Sequence, residues 1–274
     1  MPVRFCAPSG RWRQIGLSES AAAKGAETLA AALAGGKGLT RSQCVTVLTE
    51  AGLCAAKEHA SQLLWYAAQT GVTCFGPAVG KEQSFVLLDE WALDPAQPER
   101  DEALAILALR YFRSHGPATV PDFATWSGLT LGDARTGVDG AGDALATVDV
   151  DGVEHIVATA LLDSAAGSQG SRRRDELLVL PGFDEYMLGY RDRSLMVPAE
   201  HAHRIVPGGN GIFMSTIVAK GRVIGTWRRE LKGKRVQVQA VPFDPLTNAQ
   251  RAAFTAAITR YAAFLGRELH EVGE

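Results

Sequence analysis

The order of elements along the chain restricts its fold more than any other feature, because one order occurs twice. Three helical patterns precede two strand-like runs, and the first copy covers 18–34, about 38–52, about 55–70, 72–75 and 84–88. The second copy covers 101–114, a short helix through Phe123 and Trp126, 131–138 and a hairpin over 146–157. Gly38 corresponds to Gly116 and Gly52 to Gly128, which are offsets of 78 and 76 residues. Three helices followed by a hairpin is the order of a winged helix, so the sequence predicts two such modules in tandem.

Local signals support both copies. Thr40 and Gln43 have the spacing of a capping box, in which each side chain bonds a backbone N–H at the start of a helix. Asp151-Gly152 separates two strand-like runs and predicts a tight hairpin turn. Four tryptophans on apolar periodic stretches are predicted to lie in the core: Trp65, Trp91, Trp126 and Trp227.

The C-terminal part of the chain changes to short strands. Runs separated by glycine-containing turns cover 177–180, 212–219, 222–229 and 235–241, and an amphipathic helix covers 248–266. The expected fold class is therefore α+β: tandem winged-helix (helix-turn-helix) modules, then a small antiparallel β-barrel or sheet, then a C-terminal helix. The expected divisions are a disordered arm (1–15), two winged-helix modules (16–94 and 95–163), a basic linker (164–176) and a β-barrel-like domain with its helix (177–274).

Composition excludes several classes of protein. The 274 residues carry a net charge of −2, so a nucleic-acid surface has to be a local patch. No apolar run reaches the ~18 residues of a spanning helix, and the N-terminus lacks a signal-peptide pattern, so a cytoplasmic protein without a membrane partner is expected. The cysteines, at positions 6, 44, 54 and 74, lack C-x-x-C spacing, and His201 and His203 lack a third ligand. No disulfide, metal or cofactor is expected.

Several separated motifs carry a family resemblance. They are 110–119 with Asp122-Phe123 and 126–129, then Leu180–Tyr186 (LPGFDEY), then Gly189–Arg193 (GYRDR), and finally 210–213 leading to 221–229. In this order they resemble the tandem winged-helix DNA-binding family that includes the AlkZ-like and YcaQ-like DNA glycosylases. The resemblance extends from about Gly16 to the C-terminus.

The resemblance implies a curved protein that grips duplex DNA, with enzymatic members that excise alkylated bases, including bases joined in interstrand crosslinks. It also implies a catalytic Gln-x-Gln or Gln-x-Asp motif in an N-terminal winged helix. This chain has no counterpart near its start, and it is expected to begin where that first module would already have ended. Gln237-Val238-Gln239 lies on a late strand and is interpreted as structural.

Two carboxylates within the motifs are candidate catalytic groups. Base excision needs a group that activates water and an anion that stabilises an oxocarbenium-like sugar. Asp184, Glu185 and Asp192 all carry the required charge, and Asp184 and Asp192 are the two candidates. The structural interpretation instead makes these two ion-paired residues of a corner that fixes the barrel.

Cations concentrate in the C-terminal half. From Lys220 to Arg235 there are seven cations and one acid, Glu230. Phosphate contact is the interpretation that the family resemblance favours over a solvated charged face. Arg228 and Arg229 are adjacent on a strand, so we expect them to point to opposite faces, one exposed and one paired with a buried carboxylate. The full set of candidate DNA-binding residues is Arg41, Lys57, His59, Gln62, Lys81, Arg172, Arg173, Arg174, Arg191, Arg193, Arg228 and Arg229.

The sequence thus predicts a protein that binds double-stranded DNA and is related to glycosylases of alkylation and crosslink repair, without catalysis in this chain. Two alternatives stay open. One is an active DNA glycosylase, and the other is a non-enzymatic module that binds protein or a small ligand after losing DNA binding.

Overall fold

The computed structural model describes residues 12, 14–54, 57–92, 98–167 and 177–273. The chain divides into two compact units, Met1–Gln97 and Pro98–Glu274.

The first unit consists of helices and a small sheet. Its elements are α1 (Glu19–Leu33), β1 (Leu39–Thr40), α2 (Arg41–Glu50), α3 (Lys57–Gln69), β2 (Thr73–Val79), β3 (Glu82–Leu87) and α4 (Leu88–Trp91). Thr40 and Gln43 form the predicted capping box at the start of α2. The core is filled by side chains from all three long helices, including Leu29, Leu48 and Leu63, each fully buried. β1 pairs with β3, and β3 pairs with β2, so the sheet order is β1-β3-β2.

The second unit begins with a comparable set of elements. They are α5 (Arg100–His115), α6 (Val120–Ser127), α7 (Leu131–Ala141), a 3-10 turn (Gly142–Ala144), β4 (Leu145–Val150), β5 (Val153–Ala158) and α8 (Thr159–Gly167). The hairpin turns at Asp151-Gly152 as predicted. Ala118, which precedes the N-cap Thr119 of α6, pairs with Ile156 of β5. Leu39, which precedes the N-cap Thr40 of α2, pairs in the same way with Phe85 of β3.

A five-stranded sheet and a closing helix form the rest of the second unit. The elements are β6 (Leu177–Leu180), α9 (Glu185–Leu188), short helical turns over Ala199–His201, Ala202–Ile205 (α10) and Pro207–Gly209, β7 (Thr216–Ala219), β8 (Arg222–Lys232), β9 (Arg235–Pro242), α11 (Asn248–Phe264) and β10 (Glu268–Gly273). The strand order is β10-β9-β8-β7-β6. Phe254 and Ile258 of α11 pack on Val236 and Val238 of β9.

The α+β class and the C-terminal helix are confirmed, and four details of the sequence analysis are wrong. The sheet is mixed, because α11 returns the chain to the end of the sheet where β9 begins, and β10 then runs parallel to β9. Residues 164–167, expected in the linker, continue α8. Ile212 lies outside β7. Trp65, Trp91 and Trp126 are 45%, 55% and 39% exposed, and only Trp227 of the four is buried.

Candidate nucleic-acid interface

The hairpin of β8 and β9 carries the largest group of exposed cations among the described residues. From Arg228 to Lys232, five consecutive side chains of β8 are exposed. β7 pairs with β8 only as far as Thr226, so within the described chain this part of β8 has β9 as its sole ladder partner. This end of β8 therefore extends past β7. The face of the hairpin that carries Arg228 is exposed, whereas the opposite face packs Val236 and Val238 under α11.

Arg228 and Arg229 lie on opposite faces of this hairpin, but both are exposed. Arg228 is opposite Gln239, and Arg229 is opposite the buried Val238 on the face that packs under α11. The guanidinium carbon of Arg229 lies 5.4 Å from the ring centroid of Tyr261. The expected burial of one arginine against a carboxylate is therefore wrong. Arg229 sits at the margin of the helix-covered face, where an aromatic ring is its neighbour.

Two acidic side chains described near the hairpin pair with other cations. Glu230 accepts from Lys232 at 3.0 Å, and Glu268 lies 4.0 Å from Arg235. Within the described part of the chain, no carboxylate lies within ion-pair distance of Arg228 or Arg229. Among the side chains that the structure describes, these two guanidinium groups therefore have no acidic partner and can meet an external anion.

A cavity lies between β6 and α11, beside Arg229. Its volume is about 550 Å³, and its walls include Leu178, Trp227 and Tyr261. Arg229 and Arg260 contribute the charged part of the lining, and Pro181-Gly182 contribute the part that follows β6. The cavity is thus apolar with a cationic rim.

The other motif arginines have different environments. Arg191 is exposed, whereas Arg193 is half-buried and donates from Nε to the carbonyl of Met187 at 2.5 Å. The Arg193 guanidinium also lies 4.8 Å from the ring centroid of Phe213, and burial lowers its pKa. Arg193 therefore stabilises the motif turn, and Arg191 is the one of this pair that faces solvent.

Asp184 and Asp192 form turns and do not lie in ion pairs within the described chain. The Asp184 carboxylate caps α9 by accepting from the backbone N–H of Tyr186 at 2.9 Å. Asp192 accepts from the backbone N–H of Ser194 at 2.9 Å, and this bond lowers the pKa of the Asp192 carboxyl. Both carboxylates thus hold the local backbone, although the ion-paired corner expected from the sequence is not formed.

A buried carboxylate that sequence reasoning missed connects the motif to the preceding helices. Asp122 is 3% exposed and completes a capping box with Thr119. Its Oδ1 atom also accepts from the backbone N–H groups of Arg191 and Asp192, at 2.8 and 3.0 Å. Tyr111 supports the same junction by donating to the carbonyl of Gly189 at 2.8 Å. The position of Arg191 therefore depends on the α6 cap.

An aromatic cluster surrounds a second carboxylate. Glu185 Oε1 accepts from Trp126 Nε1 at 2.5 Å and lies 3.0 Å from His115 Nε2. The His115 ring stacks on Tyr111, with ring centroids 4.6 Å apart. Gly189 is required here, because an added Cβ would lie 2.5 Å from the His115 ring. Glu185 is therefore the motif carboxylate that the structure surrounds with ring N–H groups.

In the first unit, several candidate residues already have protein partners. His59 Nε2 lies 2.7 Å from the carbonyl of Ile15, and Gln62 accepts from Trp12 at 3.0 Å. Arg41 donates to Ser61 at 2.7 Å. Lys81 is exposed at the β2–β3 turn.

Four of the candidate cations have side chains outside the described part of the chain. Lys57 begins α3, but its side chain lies outside the described residues, as do Arg172, Arg173 and Arg174.

The described residues contain no group of three or more His, Cys, Asp or Glu side chains arranged to hold a metal ion. No helix in the described part of the chain is both long enough and apolar enough to cross a membrane.

Comparisons with known proteins agree on one family. The family model described as DNA glycosylase AlkZ-like matches residues 6–264. The chain is 30% identical over 199 residues to a Streptomyces sahachiroi protein named interstrand DNA cross-link repair glycosylase. That match covers 69% of this chain and 53% of the relative, so the chain spans about half the length of the curated relative.

The solved structure of Streptomyces sahachiroi DNA glycosylase AlkZ has a similar fold. The two structures have a TM-score of 0.75 at 25% sequence identity, covering 97% of this chain and 73% of the other. The match of the family model to most of the chain decides its classification. The chain belongs to the DNA glycosylase AlkZ-like family.

Proposed function

We propose that this chain binds double-stranded DNA, that the hairpin of β8 and β9 contacts the phosphates, and that the chain does not excise bases by itself. The observation that carries the proposal is the exposure of Arg228 and Arg229 without a carboxylate partner among the described residues. Guanidinium groups bind phosphate oxygens through paired N–H donors. A hairpin that exposes Arg228 on one face and Arg229 at the margin of the other suits the backbone of a duplex, which presents negative charge along its whole length.

Charge balance along the hairpin supports phosphate contact. The sixteen residues from Lys220 to Arg235 carry seven cations and one acid, although the chain as a whole has a net charge of −2. Glu230 offsets Lys232, with which it is paired. The excess of positive charge is therefore local, as electrostatic attraction of DNA by a near-neutral protein requires.

The proposal includes two winged-helix modules. Support comes from a contact that recurs in each unit: the residue before a threonine N-cap pairs with the second strand of the hairpin, as Leu39 does with Phe85 and Ala118 with Ile156. Both threonines also form capping boxes. Recurrence of the same capping box and the same strand contact at two places in the chain is expected of a repeated module. We assign its boundaries to residues 16–94 and 95–163.

Binding assays with single variants test this proposal. Arg228→Ala and Arg229→Ala should each weaken binding to duplexes of unrelated sequence by a similar factor, because phosphate contacts do not read bases. Arg113→Ala is the matched control, since Arg113 is an exposed arginine on α5, away from the hairpin. Equal effects of all three changes, or an effect restricted to one DNA sequence, would contradict the assignment of phosphate contacts to the hairpin.

The absence of base excision is proposed from the two candidate carboxylates. Asp184 and Asp192 each accept a backbone N–H at 2.9 Å and hold a helix cap or a turn. A carboxylate that stabilises an oxocarbenium-like sugar has to face the substrate. Because both carboxylates already bind backbone N–H groups, we infer that they position the motif backbone and do not act in catalysis.

A glycosylase is the second candidate function, and Glu185 is the residue that favours it. Its side chain is 55% exposed, and its carboxylate is oriented by Trp126 and His115. A carboxylate in such a setting is equipped to orient water or to stabilise positive charge on a sugar. The names of the similar Streptomyces proteins also describe glycosylases.

A single-turnover assay separates the two candidates. With protein in excess over a duplex that contains a methylated or crosslinked base, we expect no base release. Release that is lost in Glu185→Gln but retained in Asp184→Asn and Asp192→Asn would favour the glycosylase. An excess of protein matters, because slow product release can hide activity.

A further inference from the structure

Phe183 has an unusual backbone conformation for a large apolar residue. Its φ of +60° lies in the left-handed region, and its side chain is 55% exposed. A bulky side chain rarely adopts this conformation, which is strained for any residue that has a Cβ atom. Burial does not offset the strain, because more than half of the accessible surface of this residue stays exposed.

The other two non-glycine residues with positive φ in the described chain have ordinary explanations. Asp151 and Lys220 each precede a glycine that also has positive φ, at the tips of the β4–β5 and β7–β8 hairpins. Two consecutive residues with positive φ are the usual geometry of a tight hairpin turn. Phe183 lies in a turn between a strand and a helix, so hairpin geometry does not require its conformation.

Residues on both sides of Phe183 fix the turn. A Cβ atom on Gly182 would lie 2.8 Å from the carbonyl oxygen of Phe213, so that position accepts only glycine without a shift of the backbone. Asp184 caps α9 through the backbone N–H of Tyr186. Strain of this kind persists only where the surroundings over-determine the conformation, and it concentrates at functional positions.

The surroundings of the ring are apolar and cationic. The Phe183 and Phe213 ring centroids are 6.3 Å apart, and the Arg193 guanidinium covers Phe213. The preceding residue, Gly182, lines the cavity whose cationic rim consists of Arg229 and Arg260. The exposed ring of Phe183 is thus next in the chain to a residue of this cavity, whose cationic rim is suited to phosphates.

We propose that Phe183 is a wedge residue that inserts between neighbouring base pairs of the bound duplex. Apolar side chains inserted in this way unstack a base step and kink the duplex, and nearby cations hold the phosphates of the distorted step. The turn keeps the ring outward before DNA arrives, which removes the entropic cost of ordering it on binding. This inference rests on the proposed duplex binding, and it assigns to Phe183 a contact with bases that the arginines do not make.

The test uses a duplex that contains 2-aminopurine, whose fluorescence rises when its base is unstacked. Saturation with the unaltered chain should raise the fluorescence, and Phe183→Gly should abolish most of the rise and weaken affinity by about tenfold. Phe183→Gly should also raise Tm by about 2–4 °C, because glycine accepts positive φ without strain. Phe183→Tyr keeps a flat ring and should retain the signal. Phe264→Ala is the matched control, because Phe264 is 85% exposed at the end of α11.

The outcomes separate this inference from the proposed function. If the unaltered chain binds the duplex without a fluorescence rise, or if Phe183→Gly retains the rise, the wedge is refuted and duplex binding stands. If Phe183→Gly lowers Tm together with the signal, Phe183 is a structural residue and the wedge is again refuted. Failure of the unaltered chain to bind any duplex at low salt would overturn both proposals.

Discussion

Replacement of Asp122 tests how the second unit holds its motif turn. The Asp122 carboxylate accepts four hydrogen bonds: from Thr119 N at 2.9 Å, Thr119 Oγ1 at 2.6 Å, Arg191 N at 2.8 Å and Asp192 N at 3.0 Å. Because Asp122 is 3% exposed, water does not replace these bonds while the fold persists. Asp122→Ala removes all four and should destabilise the second unit.

The size of the effect follows from the groups left behind. The N–H groups of Arg191 and Asp192 lose their acceptor, and because these bonds are only partly buried, each loss costs about 1–2 kcal/mol, the lower part of the range for an unsatisfied donor. Loss of the reciprocal bond in the capping box adds about 1 kcal/mol. We therefore expect Asp122→Ala to lower the free energy of unfolding by about 3–5 kcal/mol, and Tm by about 10 °C. Asp122→Asn keeps an oxygen for Arg191 and Asp192 and loses the bond from Thr119 N, so its effect should be about 1–2 kcal/mol.

Urea unfolding, followed by tryptophan fluorescence, measures this difference. Asp133→Ala is the matched control, because the Asp133 carboxylate lies 2.8 Å from a largely exposed Arg100, and exposed ion pairs contribute little to folding stability. If Asp122→Ala and Asp133→Ala had equal effects, Asp122 would not connect the α6 cap to the motif. An Asn variant as destabilised as the Ala variant would refute the division of the energy between the two carboxylate oxygens.

Three further predictions concern other parts of the chain. Burial raises the pKa of Cys44 to about 11, so at pH 8 only about 0.1% of this thiol is ionised, and iodoacetamide should modify it at an appreciable rate only after unfolding; rapid modification of the folded chain, read by mass spectrometry, would contradict its burial. Burial also raises the pKa of Tyr190 to about 12 and raises that of Tyr111. Because the unfolded chain releases these protons near the ordinary pKa of 10, the free energy of unfolding that these two tyrosines contribute should be fully present below about pH 10 and fall as the pH rises towards 12. Absorbance at 295 nm and urea midpoints measure this, and titration of every tyrosine near pH 10 in the folded chain would contradict it. Gly225→Ala would place a Cβ atom 2.6 Å from the Cα atom of Pro242 on the paired strand, and the forced shift should lower the urea midpoint by an amount equivalent to about 1–3 kcal/mol; an unchanged midpoint would contradict this pairing.

The sequence predicted those elements whose causes are local. The capping box of Thr40 and Gln43 and the hairpin turn at Asp151-Gly152 depend on residues within a few positions of each other, and both are present. The helix at 248–264 follows from its own periodicity. β10 is different, because it forms only where α11 returns the chain to the edge of β9, and its own sequence carries little strand signal.

The candidate site was less predictable because its contacts are between distant residues. In the sequence, Asp122 has the position of an ordinary N3 residue of a helix. Its carboxylate also accepts hydrogen bonds from the backbone N–H groups of Arg191 and Asp192, 69 and 70 positions later. The exposure of Trp126 could not be read from its apolar neighbours, because its indole N–H extends to Glu185. The alternation of Arg228 and Arg229 was correctly expected, but β8 continues beyond its pairing with β7, so both arginines are exposed, Arg229 at the margin of the face that α11 covers.

The salt dependence of duplex affinity tests the central claim, that the chain binds DNA through the phosphate contacts of its cationic hairpin, most directly. The logarithm of the association constant should fall linearly with the logarithm of salt concentration, with a slope of about −0.9 for each phosphate contacted. Replacement of both Arg228 and Arg229 by alanine should make the slope shallower by about 2, without a comparable loss of folding stability. A slope that the double replacement leaves unchanged, or affinity that does not respond to salt, would contradict the account.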